Sequence, residues 1–217
     1  MPEYLADPVG RLLELHAKAA ERTVVALAGF PGSGKTTLTR KWEKRVNSVL
    51  GPSSFFVTGM DGFHLTKRTL LGMDNAEEAL ARRGAPWTFN PLGFLSKLTE
   101  LKESYGRRSV GWPGFDHSVG DPAEDAIVIP QDCRLILVEG IYTLLRTGEW
   151  AGLNGMFNET WFLDTPLETA MRRLYVRHRE AWGMTEEEAR AQADGNDRLN
   201  SEYVAPGKRS ADYLVAG

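Results

Sequence analysis

Residues Gly29 to Thr37 read G-F-P-G-S-G-K-T-T, and this stretch restricts the fold more than any other part of the chain. It fits the pattern G-x-x-x-x-G-K-[ST] at every fixed position, follows the apolar run Thr23–Ala28, and precedes a segment with helical periodicity. A loop of this kind between a strand and a helix binds phosphate groups, whereas a glycine-rich turn without a ligand needs neither flank. The sequence therefore predicts a strand, a phosphate-binding loop and a helix, in that order.

The residue types in this loop suit the phosphate chain of a nucleotide. Gly29, Gly32 and Gly34 carry no Cβ, so backbone N–H groups can approach a phosphate, and the helix that opens near Gly34 adds unpaired amides. We expect Lys35 to place its ammonium between the β- and γ-phosphates and Thr36 to give its hydroxyl to Mg²⁺. The predicted nucleotide contacts are Gly29, Pro31, Gly32, Ser33, Gly34, Lys35, Thr36 and Thr37.

Composition narrows the class of protein. The chain has 217 residues and a formal net charge of −3, from 26 basic and 29 acidic residues, which leaves no electrostatic footprint for nucleic acid. The single Cys133 excludes an internal disulfide and suits a reducing compartment. No apolar stretch reaches the length of a membrane span, and Met1–Leu5 lacks the features of a signal peptide. We expect a cytoplasmic protein that binds neither nucleic acid nor membrane; a homodimer is compatible with these data.

Segments typical of strands alternate with segments typical of helices. Apolar runs predict strands at about 23–28, 54–58, 134–138, 160–164 and 212–215. Two shorter strands are expected near 108–112 and 126–129. The alternation predicts an α/β fold with a parallel sheet, in a single domain over residues 1–217.

The last third of the chain predicts two consecutive helices. Thr165–Glu168 and Thr185–Glu188 both fit the capping-box pattern, and they would open helices that run to about Trp182 and Tyr203. We expect the segment of approximately 166–203 to act as a helical lid.

A phosphate-binding loop alone is compatible with an ATPase, a GTPase switch, a kinase or a nucleotide sensor. The chain has no Asn-Lys-x-Asp motif for reading guanine, which disfavours the GTPase. Asp61 follows the second predicted strand, and active sites of open parallel sheets lie at the carboxyl ends of strands. We expect Asp61 to lie beside the phosphate loop and to accept the proton of an attacking hydroxyl. The alternative is that Asp61 is only a turn residue next to Gly62, with no role in proton transfer.

A second carboxylate, Glu139, ends the apolar run before Gly140. We predict that it holds Mg²⁺ together with Thr36, directly or through water. Asp164 ends another strand and competes for this role, although it is equally explained as a turn residue before a helix.

Four arginines crowd the predicted helix after residue 166: Arg172, Arg173, Arg177 and Arg179. Arg173 and Arg177 are four residues apart and share a face. A solvated, salt-bridged helix explains such a cluster, but arginine without lysine also suits planar phosphate recognition. We favour a lid whose arginines close over the transferred group.

Several motifs together resemble the phosphoribulokinase/uridine kinase family, which includes bacterial pantothenate kinase. They are the phosphate loop, Met60-Asp61-Gly62-Phe63-His64, Arg82 to Phe89, Pro113-x-Phe115-Asp116-His117, Val138-Glu139-Gly140 and the arginine-rich helix. The resemblance covers about residues 20 to 205 and looks closest to bacterial fructose-transport-system-kinase-like members. It implies a P-loop NTPase three-layer sandwich with a parallel five-stranded core and a helical lid.

The resemblance also implies an activity, the transfer of the γ-phosphoryl group of ATP, with Mg²⁺, to the hydroxyl of a small molecule. The family's catalytic aspartate falls on Asp61 and its loop lysine and hydroxyl on Lys35 and Thr36; lid arginines fall on Arg173 and Arg177. The predicted catalytic residues are therefore Asp61, Lys35, Arg173 and Arg177. Thr36 is predicted to bind the metal ion.

The acceptor is less determined. The predicted substrate contacts are His64, Arg83, Phe115 and His117, all within matching motifs. Phe115 replaces a tyrosine of pantothenate kinase, and Asp61-Gly62-Phe63-His64 replaces the Asp-Ser-Phe-Tyr of uridine kinases. A sugar-like metabolite is therefore the first prediction, and a nucleoside or pantothenate-like compound the second. The competing class is a nucleotide sensor without catalysis, or a simple ATPase.

Overall fold

The computed structural model describes residues 2–116 and 119–217, and in these ranges the chain forms eight strands. They are β1 (Glu3–Tyr4), β2 (Thr23–Ala28), β3 (Phe55–Gly59), β4 (Val110–Asp116), β5 (Asp121–Ile129), β6 (Leu135–Glu139), β7 (Glu159–Asp164) and β8 (Tyr213–Ala216). Six of them form a parallel sheet in the order β1-β8-β7-β2-β6-β3, and β4 and β5 form a separate antiparallel hairpin. The phosphate-loop strand β2 thus lies inside the sheet, between β7 and β6.

Helices connect and cover these strands. They are α1 (Pro8–Lys18), α2 (Lys35–Leu50), α3 (Lys67–Leu71), α4 (Ala76–Ala81), α5 (Pro91–Glu103), α6 (Leu167–Trp182), α7 (Glu186–Gln192), α8 (Arg198–Val204) and α9 (Gly207–Ser210). Short 3₁₀ turns span Asp61–Phe63, Pro86–Thr88 and Gly148–Leu153, and a π-helical segment, Ala193–Asp197, joins α7 to α8.

The sheet separates two apolar layers. On one face Leu12 of α1 and Trp42 of α2 pack on the strands, and the Trp42 ring meets Trp161 edge-on at 6.0 Å between centroids. On the other face the core includes Phe94 of α5 and Leu174 of α6. Both strand faces are therefore buried, which explains the nearly continuous apolar runs of β2 and β6. The predicted three-layer α/β fold is confirmed.

The five strands expected for the parallel core are all present, but the sheet has a sixth. The additional strand, β1, has only two residues and pairs in parallel with β8. Two residues are too few to produce a recognisable alternation, so the sequence pattern could not reveal it.

One of the two predicted capping boxes is wrong. Thr185 and Glu188 form the box at the start of α7. At α6, however, Pro166 is the N-cap, the Thr165 hydroxyl donates to the carbonyl oxygen of Ser33, and Glu168 pairs with Arg198. A tertiary contact with the phosphate loop has replaced the local cap.

The β4–β5 hairpin is pressed against the turn that follows β3. A Cβ on Gly62 would lie 2.0 Å from the carbonyl oxygen of Pro113, so only glycine permits this backbone contact. The Trp112 indole also donates to the carbonyl oxygen of Gly59 at 2.9 Å. The hairpin is thereby fixed to the end of β3, next to Asp61.

Across residues 2–116 and 119–217, none of the helices combines the length and apolar character needed to cross a lipid bilayer.

Candidate active site

Three neighbouring strands bring the predicted site residues to one edge of the sheet. β6 lies between β2 and β3, and Glu139 at its end is in register with Leu27 of β2 and Gly59 of β3. Met60 donates its N–H to the carbonyl oxygen of Glu139 at 2.9 Å. Because adjacent strands are about 4.8 Å apart, the ends of β2 and β3 are separated by only about 10 Å. The phosphate loop, Glu139 and Asp61 therefore share one site.

The phosphate loop has a shape that its glycines make possible. Gly34 is the N-cap of α2 in the left-handed region, with φ of 98°. Gly32 has φ of 75°, and a Cβ there would lie 2.5 Å from the carbonyl oxygen of Ala170 in α6. The loop is therefore packed between the start of α2 and the arginine-rich helix. Thr36 and Thr37 are exposed in the first turn of α2, whereas Ser33 is buried.

The Lys35 ammonium is buried at the base of this loop. It donates to the carbonyl oxygens of Gly29 at 2.8 Å and Phe30 at 3.1 Å. Burial lowers the pKa of Lys35 to about 8, against the opposing effect of the Glu139 and Asp61 carboxylates, while Arg177 lowers it further. Lys35 thus lies within electrostatic reach of Glu139, Asp61 and Arg177.

Glu139 is a buried carboxylate that lacks part of its hydrogen bonding. Its Oε2 atom accepts no hydrogen bond from any residue that the structure describes. Burial raises the pKa of Glu139, and Lys35 together with a hydrogen bond from Thr36 opposes this. An orphaned carboxylate oxygen beside a hydroxyl at the start of a helix fits a hard divalent cation, which seeks oxygen ligands. Thr36 and Glu139 therefore suit the predicted Mg²⁺ site.

Asp164, the competing carboxylate, has protein partners. Its Oδ1 is 2.6 Å from the Lys208 ammonium, and its other oxygen accepts a hydrogen bond from the Tyr4 hydroxyl. These two partners lower the pKa of Asp164, against its burial. Asp164 thus joins β1 and α9 to the end of β7. This is a structural role.

Asp61 opens the 3₁₀ turn after β3 and is exposed. Its carboxylate affects the pKa values of both Lys35 and Glu139, so it lies near these two groups. Its backbone carbonyl accepts a hydrogen bond from the His64 ring. The predicted base thus lies at the site with its carboxylate exposed.

The predicted arginines reach the same place from α6. Arg173 donates from Nη1 to the carbonyl oxygen of Ser33 at 2.8 Å. Arg177, one turn later, lies with its guanidinium carbon 5.5 Å from the centre of the Trp182 ring and close enough to Lys35 to influence its pKa. Arg179 instead stacks on Tyr175. The structure therefore brings Arg173 and Arg177 together with the loop.

Two aromatic rings lie against His64, three residues after Asp61. Phe89 lies 3.9 Å and Phe115 4.9 Å from the imidazole centre. His64 Nδ1 is 2.8 Å from the carbonyl oxygen of Asp61. A carbonyl can only accept, so Nδ1 carries the proton and donates this hydrogen bond. His64 and Phe115 thus lie side by side next to Asp61.

Arg83, a further predicted substrate contact, fixes the turn of the hairpin. It donates to the carbonyl oxygens of Gly120 and Leu65 and pairs with Asp121 at 2.7 Å. Its guanidinium carbon is also 5.6 Å from the centre of the Phe115 ring. The remaining predicted contact, His117, lies outside the described residues.

Two features of this region had no recognisable signal in the sequence. The Thr165 hydroxyl donates to Ser33 at 3.0 Å, and a buried pair joins His178 Nε2 to Asp197 Oδ2 at 2.7 Å. Both join residues that are far apart in the chain, so no local spacing predicts them. The one available signal is that His178 lies on the apolar, buried face of an amphipathic helix, where a histidine needs a polar partner.

Comparison with known proteins decides the family. A sequence model described as the phosphoribulokinase / uridine kinase family matches residues 24–216. The chain belongs to this family. It is therefore a kinase with a P-loop fold, and the predicted membership is confirmed.

The relatives and a solved structure agree with this assignment. A protein of Schizosaccharomyces pombe, provisionally named uridine kinase, is 36% identical over 94% of this chain and 87% of its own length. The ATP-dependent kinase-like protein notR′ of Aspergillus versicolor is 32% identical over 73% of this chain and 94% of its length. A crystal structure from Silicibacter sp. TM1040, provisionally described as a fructose transport system kinase, has a TM-score of 0.81 and 30% identity. The alignment covers 94% of this chain and 95% of that one.

Proposed function

We propose that this kinase transfers the γ-phosphoryl group of ATP to a hydroxyl of a sugar-like metabolite. The observation that carries the proposal is the meeting of three adjacent strand ends, which puts the phosphate loop, Glu139 and Asp61 at one edge of the sheet. A nucleotide sensor needs the loop but has no use for a carboxylate such as Asp61 beside a histidine and aromatic rings. ATP and Mg²⁺ are the cofactors expected for this family.

The chemistry follows from the positions of the side chains. The acceptor oxygen attacks the γ-phosphorus, the bond from that phosphorus to the β,γ-bridging oxygen breaks, and Asp61 takes the acceptor's proton. Lys35, the loop amides, Arg173 and Arg177 offset the negative charge on the transferred group and on the departing ADP. Mg²⁺, held by Thr36 and Glu139, would neutralise phosphate charge when bound.

The surroundings of His64 support a polyol or sugar as the acceptor. An imidazole such as that of His64 suits hydroxyl groups, and the neighbouring Phe115 ring suits the apolar C–H side of a sugar. Phe115 has no hydroxyl, so it cannot give the hydrogen bond that the tyrosine of pantothenate kinase could. We place the acceptor between Asp61, His64 and Phe115.

A nucleoside acceptor is the second candidate, and one observation favours it. The relative with 36% identity carries the provisional name uridine kinase. Phe115 is an aromatic group on which a base could stack. A pantothenate-like acceptor, or ATP hydrolysis without an acceptor, remains as a further outcome of the test.

The test is ADP release in the presence of Mg²⁺ and ATP, with a panel of sugars, polyols, nucleosides and vitamins. Turnover that depends on one sugar or polyol supports the proposal. Turnover that depends on a nucleoside selects the second candidate. The same turnover with every compound and with none favours a simple ATPase, and tight ATP binding without turnover favours a sensor.

A further inference from the structure

A buried histidine–aspartate pair lies behind the arginines of the lid. His178 on α6 is 1% exposed, and its Nε2 is 2.7 Å from Oδ2 of Asp197, which ends the π-helical segment. π-helical turns are uncommon and often occur at functional sites. This turn places Asp197 where it can meet a residue of a different helix.

The pair is held in one arrangement. His178 Nδ1 is buried and meets no hydrogen-bond partner in the described part of the chain. The hydrogen bond between Nε2 and Asp197 is therefore the one that holds the ring in place. Burial raises the pKa of Asp197, against the hydrogen bond from His178 and the charge of Arg177. The His178 ring is also stacked against Trp182, with 4.6 Å between centroids.

The same contacts extend to Arg177. Arg177 directly precedes His178, and its guanidinium lies over the Trp182 ring. Its positive charge opposes the rise that burial causes in the pKa of Asp197. Arg177 also influences the pKa of Lys35. Asp197, Trp182 and His178 therefore form the surroundings that fix where the Arg177 charge lies relative to the phosphate loop.

The π-helical segment is attached to the acceptor side as well. Asn196 donates from Nδ2 to the carbonyl oxygen of Arg83 at 2.9 Å, and Arg82 donates to Oδ1 of Asn200 at 3.3 Å. Arg83 in turn binds the hairpin turn at Gly120. One continuous set of contacts thus runs from the lid helix through Asp197 to the residues around the acceptor.

We infer that His178 is a positioning residue for phosphoryl transfer, which holds Arg177 near the phosphate loop through its contacts with Asp197 and Trp182. The inference rests on the proposed function. It adds a role for His178, which is buried and acts on the transferred group only through Arg177.

The test compares His178→Leu, which removes the hydrogen bond, with His178→Gln, whose amide can still donate to Asp197. We expect His178→Leu to lower kcat by about 10- to 100-fold with little change in the KM for ATP, since misplaced groups affect the transition state most. His178→Gln should regain most of the loss. The control, Glu168→Gln, removes the exposed ion pair to Arg198 that joins the same two parts of the lid, and should leave kcat unchanged.

A double variant isolates the route through Arg177. If His178 acts by holding Arg177, adding His178→Leu to Arg177→Met should cost no more than about twofold beyond Arg177→Met alone. Losses that multiply would overturn the inference, as would a folded His178→Leu enzyme with a normal kcat. If His178→Leu does not fold, the same double-variant comparison with Asp197→Asn decides between the two outcomes.

A measurement without an acceptor separates this inference from the proposed function. Hydrogen exchange of α6 with a non-hydrolysable ATP analogue should show protection around Arg177 that is lost in His178→Leu and kept in Glu168→Gln. If no compound in the panel is phosphorylated, the proposed function fails while this comparison still holds. Equal protection in all three proteins would refute the positioning role.

Discussion

Arg173 and Ser33 are joined by a hydrogen bond of 2.8 Å from the guanidinium to the carbonyl oxygen of the phosphate loop. The Thr165 hydroxyl donates to the same oxygen at 3.0 Å. Together with the close contact between Gly32 and Ala170, these bonds fix the first half of α6 to the loop. We therefore expect any closure of the lid to involve the end of α6 and the helices after it, rather than α6 as a whole.

Replacing Arg173 should reduce catalysis more than binding. In Arg173→Gln the cation next to the loop is lost, and we expect kcat to fall by about 100-fold, the usual effect of removing one group that stabilises developing charge. Arg172→Gln is the matched control, because Arg172 is an exposed neighbour on the same helix. Steady-state kinetics of both variants give the comparison, and equal losses would assign the effect to general helix charge.

Asp61→Asn should separate nucleotide binding from transfer. The amide keeps the size of the side chain but cannot take a proton, so we expect a loss of about 100-fold or more in kcat with an ATP affinity close to that of the wild type. Calorimetry with an ATP analogue and acceptor-dependent ADP release measure the two quantities. Asp74→Asn, at an exposed position, serves as the control. Retained transfer would remove Asp61 from the mechanism.

Nucleotide binding should be linked to protonation of Lys35. Burial lowers the pKa of this lysine to about 8, so near that pH a substantial share of the free enzyme has a neutral amine. Phosphate charge favours the ammonium and raises the pKa. Binding should therefore take up protons near pH 8, and affinity should fall as the pH rises above it.

Titration calorimetry in two buffers of different ionisation enthalpy measures this uptake. The experiment uses a nucleotide without Mg²⁺, so that Glu139 does not contribute through the metal. Lys35→Arg is the control, because arginine stays charged over this range and should take up no protons. Proton uptake that is the same in both proteins would contradict the assignment to Lys35.

The base of the sheet depends on Arg22, which is 3% exposed. Its guanidinium donates to the carbonyl oxygens of Leu101, Pro130, Gln131 and Cys133 and to the Ser104 hydroxyl. Lysine cannot reach this set of acceptors, so Arg22→Lys should lower the free energy of unfolding by about 3 kcal/mol or more. Urea unfolding measures the change; Arg107→Lys, at an exposed site, should change it little.

The sequence was sufficient for the elements whose signals are local. The flanks of Gly29–Thr37 located β2 and α2, and the apolar run before Glu139 located β6, because strands covered on both faces need such runs. The positions of Asp61 and Glu139 followed from the rule that parallel strands present their carboxyl ends at one edge.

What the sequence could not reveal depends on contacts between distant segments. Thr165 satisfied a capping pattern, yet its hydroxyl binds Ser33, because the helix start lies against the phosphate loop. Arg83 was predicted to contact the substrate, and its guanidinium also holds Gly120 and Asp121, which no spacing could indicate. The pair of His178 and Asp197 belongs to the same class.

The backbone contact between Gly62 and Pro113 has a consequence for how such enzymes can diverge. The middle of β4 is locked at Pro113 to the turn that carries Asp61. Substitutions of hairpin side chains such as Phe115 can therefore change the surroundings of an acceptor without moving the proton-accepting group. A side chain at position 62, in contrast, would disturb that group whatever compound is phosphorylated.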